Sequence, residues 1–449
     1  MYRFIILAIF LTSQISLALT LAEKERIFND RANASKKIFG LIGGTSDTPI
    51  WTGVYVASQA YRYEVTKDPE ARQQLEESLW GLVKLHNVTK IPGLISKMIT
   101  PATKDAKGKL PAEYFPSANS EFKDYAWKGG ISFDQYVGYI YGLTEGFFAV
   151  EDLELKNAIR TVMSNIGDHF INNKERIIGP MTNLDFDPDS DAIVMKPSPG
   201  LVPSLFLKGG RAMYALLLMK SVSVVTDLKR FKNYYNYLIK ERNYDLLIRH
   251  NTQGNTEQIV KSNLFFLNLF TKVYVGTAVK PTVDSLRSPV AQNLGHISLS
   301  QLAVLEKDPR IFDNYAVGFN KAHTPVARHS NTFWNFLYSR ATFNDPAGIK
   351  EGLRSLRVFP MDDYGKRTNS TDPKIAKYKG LDANFFKGSQ WQWFAKNPIP
   401  FEKRPMHSFA WQQNAHLLDG QFGAEDAPGV AYLVAYWLGR KQGYISAAD

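Results

Sequence analysis

Two aspartates, Asp47 and Asp134, stand just ahead of, or in the first turn of, stretches whose apolar residues recur at helical spacing. Paired carboxylates can work on one bond. One protonates the leaving oxygen, while the other activates water or stabilises an oxocarbenium-like transition state. A separation of about 5–5.5 Å gives retention and about 6.5–9.5 Å inversion. The plain alternative is that each aspartate is only a helix N-cap, a position where this residue is favoured. His329 and His407 point to a different chemistry, shared with Asn331 and Tyr136. In uronate elimination a histidine or asparagine neutralises the carboxylate and so acidifies the C5 proton, which a tyrosine or histidine then removes. A lone histidine is more often a satisfied structural group. Arg328 and Arg404 could grip a carboxylate at two points, although a solvated loop charge is the commoner role.

Aromatic faces and forked amides are what a sugar ring and its hydroxyls require. Trp51, Trp127, Trp334, Trp391, Trp393 and Trp411 are the candidate platforms, with Gln135 and Gln412 beside them. Trp391-Gln392-Trp393 lies in a long loop, where two indoles have little packing reason to be. Trp51 and Trp334 fall within helical patterns, where core packing is the stronger explanation. Asp185, Asp187, Asp189 and Asp191 alternate along one loop and resemble the start of an oxygen-ligand calcium loop. Glycine at its sixth position and glutamate at its twelfth are missing; Lys196 stands at the latter. There is no His-rich zinc spacing, phosphate loop, nucleophile elbow or dinucleotide fingerprint, and Gly43-Gly44 and Gly209-Gly210 read as turns.

The elements that must position these residues are helical. Residues 50–65 carry Trp51, Val54, Tyr55, Ser58 and Tyr61 at helical spacing, and Lys67-Asp68-Pro69 turns the chain into a second, more charged helix over 69–86. Aspartate caps such a helix, and proline at its first position loses no hydrogen bond. The pattern of helix, aspartate turn and helix returns around Asp152, Asp227, Asp308 and Asp345, with inner segments at 133–150, 204–225, 296–305 and 331–342. Further helices are expected over 23–39, 256–275 and 427–441. Repeated helical hairpins stack as an open solenoid or close on themselves. Bulky aromatics, and Gly138, Gly142 and Gly146 at every fourth position, favour closure into an all-α (α/α)6 toroid with one domain over 23–449. The long connections at 87–130, 173–203, 279–295 and 359–427 would then form one rim over its mouth.

Residues 1–22 combine Arg3, an apolar run over 4–11 and small-residue ends at Ala18 or Ala22, the order of a secretory signal peptide. The apolar run is well short of the ~20 residues needed to cross a bilayer, and no later stretch is long and apolar enough, so no stable membrane insertion is expected. The expected location is periplasmic or extracellular. With no cysteine in the chain, disulfides, thiolate metal sites and cysteine nucleophiles are excluded, and stability must come from packing. The formal charge of +11 favours anionic partners by long-range attraction. Lysines and arginines are dispersed rather than clustered, so acidic polysaccharide is expected in preference to nucleic acid.

Residues 46–95, 127–138 (WKGGISFDQYVG) and 428–437 (PGVAYLVAYW) resemble six-hairpin glycosidase-like proteins, the (α/α)6 toroids of secreted carbohydrate-active enzymes. The second segment is similar to the Trp-Gly-Gln segment of the unsaturated glucuronyl hydrolase branch. It departs from it in the placement of Asp134-Gln135, so that branch's catalytic assignment does not carry over. The resemblance implies an exported glycoside hydrolase acting on acidic or cell-envelope glycan through a carboxylate pair. The alternatives are a polysaccharide lyase and a glycan-binding protein without turnover.

Overall fold

The computed structural model describes residues 19–43, 47–104, 108–190, 208–251, 289–361, 379–381, 394–395, 397–404, 409–416, 427–447 and 449. In chain order these form α1 (Leu21–Ala34), α2 (Thr48–Thr66), α3 (Pro69–Asn87), β1 (Ile99–Pro101), β2 (Tyr114–Pro116), β3 (Tyr125–Lys128), α4 (Phe133–Ala149) and α5 (Leu153–Asn172). They continue with β4 (Arg176–Gly179), β5 (Thr182–Asp185), α6 (Lys208–Thr226), α7 (Lys229–Lys240), α8 (Tyr244–Asn251), α9 (Pro289–Leu305) and α10 (Pro309–His323). The last are α11 (Thr332–Tyr338), α12 (Pro346–Arg357), β6 (Lys379–Leu381), β7 (Phe394–Ala395) and α13 (Val430–Lys441). The fold is all-α in its framework. Among the described residues strands occur only as small antiparallel sheets in the connections: β1-β3-β2, β4-β5 and β6-β7.

Local chemistry explains the hairpins. Asp68, Asp152, Asp308 and Asp345 each accept a hydrogen bond from a free amide of the following helix, at Glu70, Leu155, Arg310 and Gly348. Asp227 does not follow this rule. Its backbone is left-handed (φ +60), its carboxylate takes Lys232 instead, and Leu228 occupies the cap position. Two boundaries also differ from expectation. The first helix stops at Ala34 and is followed by a left-handed turn at Phe39 (φ +62), while α9 begins at Pro289, which suits a first helical position. Thr20 and Glu23 form a capping box at the start of α1. A cut after Ala22 would remove that capped turn, whereas a cut after Ala18 leaves it whole. Residues 1–18 lie outside the described part.

Burial separates two classes of helix. In α2 every residue from Thr48 to Tyr63 is buried, whereas α7 buries only Phe231, Tyr235 and Leu238. The helices α2, α4, α6, α9, α11 and α13 form the inner class. Each touches the next in that order, and α13 touches α2. Helices α3, α10 and α12 pack against the inner helices that precede them, α7 and α8 against α6, α5 against α6 and α3, and α1 against α13. The Leu21 amide donates to the Asp449 carbonyl at 2.9 Å, and the Trp437 indole to Glu25 at 3.0 Å.

The inner helices run in the same direction. Along α2 and α4 the close approaches advance in step: Ile50 with Gly138, Gly53 with Gly142 and Val56 with Gly146. Further on, Phe133 meets Tyr214, Lys220 meets Glu306, Asn293 meets Trp334 and Lys441 meets Glu64. All six amino ends therefore share one side. At the carboxy ends, Arg340 donates to Glu145 at 2.5 Å and to the Tyr61 hydroxyl at 2.7 Å, and Tyr61 shares a 2.6 Å hydrogen bond with Tyr141. A buried pair of this kind costs about 3–5 kcal/mol to break from one side. Among the described residues no helix is long and apolar enough to cross a membrane.

The α2–α4 contact is made by backbone. A Cβ added at Gly142 would lie 2.4 Å from the Gly53 Cα, and one at Gly53 would lie still closer to the Gly138 carbonyl. Gly142→Ala is expected to lower stability by about 1–3 kcal/mol through overpacking, read from the urea midpoint. An unchanged midpoint would mean that the two backbones do not touch.

Candidate functional site

Asp47 ends the loop before α2. Its carbonyl accepts the Trp51 amide at 3.3 Å, but its side chain makes no capping bond. Its carboxylate instead accepts from the Gln135 side-chain amide at 2.8 Å. Gln135 belongs to a capping box with Ser132, the N-cap of α4, and its carbonyl oxygen accepts the Ser132 amide. Asp134 lies between them as the second residue of α4, and its carboxylate takes the Ser132 hydroxyl. Neither aspartate is therefore a side-chain cap. Both are brought to the amino ends of adjacent inner helices.

Burial raises the Asp134 pKa above the ordinary carboxylate value, the nearby Asp47 charge adds to the rise, and the Ser132 hydroxyl opposes it. One carboxyl group in this pair thus holds its proton more tightly, in the way a general acid requires, with a second carboxylate beside it.

Other polar groups collect at the same ends. Trp51, one turn below Asp47, lies against Phe409 with ring centroids 4.7 Å apart, and its indole N–H has no hydrogen-bond partner. Arg211 in the first turn of α6, Asn293 in the early turns of α9 and Gln413 beside Phe409 are all buried. The Arg211 Nε, the Asn293 Nδ2 and both amide atoms of Gln413 are likewise without partners. Ser298, Ser300 and Gln301, deeper along α9, share this condition. Buried polar atoms are rarely left unmatched, so groups of this kind are candidates for binding polar ligand atoms.

Histidines line the α9–α11 side. His329 packs its ring edge-on against His416 at 5.3 Å. His296 shares a 3.1 Å hydrogen bond with His323, stacks on Trp334 at 4.9 Å, and is held well below the usual histidine pKa by burial.

Several sequence-derived candidates are engaged within the chain. Trp127 sits in β3, paired with Ile99 and Phe115, its ring 4.9 Å from that of Phe115. Tyr136 is buried and donates to the Gly93 carbonyl at 2.7 Å. Asn331 caps α11 through the Trp334 amide and donates to the Trp411 carbonyl at 2.9 Å. The Trp334 indole donates to Asn293, and that of Trp411 to the Ala431 carbonyl. Gln412 is buried in a short turn whose amide reaches Phe409. Arg404 is buried with its Nε on the Ile399 carbonyl, and Arg328 is exposed. His407, Trp391 and Trp393 lie outside the described residues.

The acidic loop forms ion pairs. Asp185 meets Arg176 at 3.3 Å, Asp187 meets Arg242 at 2.6 Å, and Asp189 meets Lys208 at 2.7 Å. Its oxygens also accept the amides of Asp187 and Asp189. Among the described residues no group of three or more potential metal ligands meets; Asp191 and Lys196 lie outside them.

Sequence reasoning missed Arg211, Asn293 and Gln413. The one available signal was Gly209-Gly210-Arg211 at the head of an apolar helix. No family model and no curated protein matches this chain.

The raised pKa of Asp134 has a consequence for stability. A carboxyl that binds its proton more tightly in the folded state stabilises fully below the unfolded value, near 3.8, and loses that contribution as pH rises through the folded pKa. Asp134→Asn is therefore expected to gain stability relative to the parent as pH climbs through that window. Thermal melts between pH 3.5 and 7 check it, and a pH-independent difference would contradict the assignment.

Proposed function

We propose that this chain is an exported glycoside hydrolase built on a closed (α/α)6 ring, with acidic or cell-envelope glycan as its substrate. The ring is supported by six codirectional inner helices that touch in order, the last touching the first. The observation that carries the hydrolase reading is the pair at one mouth: Asp134, holding its proton tightly, beside Asp47, oriented by Gln135. In this reading Asp134 protonates the glycosidic oxygen as the bond to the anomeric carbon breaks. Asp47 activates water or stabilises the positive charge on the ring.

The unpartnered N–H groups of Trp51, Arg211 and Asn293 and the Gln413 amide are suited to the hydroxyls and ring substituents of a sugar. Parallel helices also direct six amino ends, each equivalent to roughly half a positive charge, toward this mouth, which favours an anionic substrate. Elimination is less well supported, because the Tyr136 hydroxyl and the Asn331 amide are committed to backbone carbonyls. Export rests on residues 1–22 alone.

Asp134→Asn is expected to lower turnover on a panel of uronate-containing glycans by about 10²–10⁴-fold, the range for removal of a general acid. Product release by reducing-end assay checks this. Undiminished turnover would remove Asp134 from the mechanism, and glycan binding without any product in the parent protein would favour a binding role.

A further inference from the structure

We propose that the amino end of α6 is an oxyanion subsite, with Arg211 reading a carboxylate, sulfate or phosphate carried by the substrate. It rests on the reading above only for the sugar that bears the anion.

Arg211 is 3% exposed and donates through Nη1 to the Asp187 carbonyl at 3.0 Å, while its Nε has no partner. A buried guanidinium is costly unless an anion faces it. Among the described residues none lies within ion-pair distance of it. The neighbouring acids already have cations: Asp185 has Arg176, Asp187 has Arg242, which also serves Glu175, and Asp189 has Lys208. Arg211 also stands where a helix least favours a cation. The first amides of a helix have no intrahelical acceptor, and the dipole there is positive. Gly209 and Gly210 carry no side chain to cover those amides. A guanidinium edge and free amides converging at one helix end suit a planar or tetrahedral oxyanion.

The place is next to the carboxylate pair. Tyr214, one turn further along α6, stacks on Phe133 with centroids 5.7 Å apart, and Phe133 directly precedes Asp134. Phe133 also packs on Phe186, the neighbour of the Asp187 whose carbonyl Arg211 holds. An anionic substituent on Arg211 would thus belong to a ring at, or adjoining, the bond that Asp134 protonates.

The test is calorimetric titration of the full chain with glucuronate, inorganic sulfate and inorganic phosphate, with glucose as the neutral counterpart. The parent is expected to bind at least one anion and to prefer glucuronate over glucose. Arg211→Gln is expected to weaken anion binding by about tenfold or more, Arg211→Lys by less, since it keeps the charge but loses the fork. The ranking of the three anions identifies the group read. Equal binding of glucuronate and glucose by the parent, or parent-like anion binding by Arg211→Gln, overturns the subsite. If Arg211→Gln does not fold, the parent titrations and Arg211→Lys decide, and parent-like anion binding by Arg211→Lys then counts against it. Asp134→Asn and the parent separate the two ideas: full turnover in that variant removes Asp134 from the mechanism and absence of product from the parent ends the hydrolase reading, while anion binding retained in either case supports the subsite.

Discussion

The contact of Gly53 with Gly138 and Gly142 is the constraint from which the candidate site follows. Two helices that touch through backbone hold their first turns at a fixed offset, and those turns carry Asp47 and the Ser132 to Gln135 box. A side chain between them would force α4 outward and separate Gln135 from Asp47. Gln135 gives the Asp47 carboxyl a hydrogen-bond donor at that junction. At Asp134 burial outweighs the Ser132 hydroxyl and the backbone amides that favour the charged form, and the proton is held more tightly. The raised pKa of Asp134 is thus a consequence of packing geometry.

The opposite ends of the inner helices follow another logic. Arg340, Glu145, Tyr61 and Tyr141 satisfy one another in a buried network drawn from α4, α2 and the turn after α11. Lys441 adds α13 through Glu64. That network fixes the helices to one another at this end. At the amino ends, Trp51, Arg211, Asn293 and Gln413 retain atoms with no such use. The buried ion pair is at the carboxy ends, and the unpartnered N–H groups of Trp51, Arg211 and Asn293 are toward the amino ends.

Much of the framework was legible in the sequence, because helical periodicity and aspartate caps are local signals. Asp68, Asp152, Asp308 and Asp345 cap helices as their neighbours indicate. Asp227 fails because a left-handed backbone at that residue leaves no mark in its sequence context. The glycine triplet was also readable, since its spacing has little purpose except close approach. The site was harder. Asp47 and Asp134 could be picked out by position, but Gln135 as the link between them depends on two helices meeting. Trp127, Trp334 and Trp411 show the limit for aromatics: an indole in the core and one awaiting a sugar are the same residue type. What separates them is whether the N–H reaches an acceptor such as Asn293 or the Ala431 carbonyl. Arg211, Asn293 and Gln413 stand out only by lacking such acceptors, a property of the assembled chain.

The turns that join inner to outer helices all lie on the side away from the carboxylates. They are tight: Lys67 and Asp227 adopt left-handed backbone, and aspartates at 68, 152 and 308 lock the helix that follows. Tethering the molecule to a bead through those turns would leave the helix ends that carry Asp47 and Asp134 facing outward, so anchoring and access need not compete.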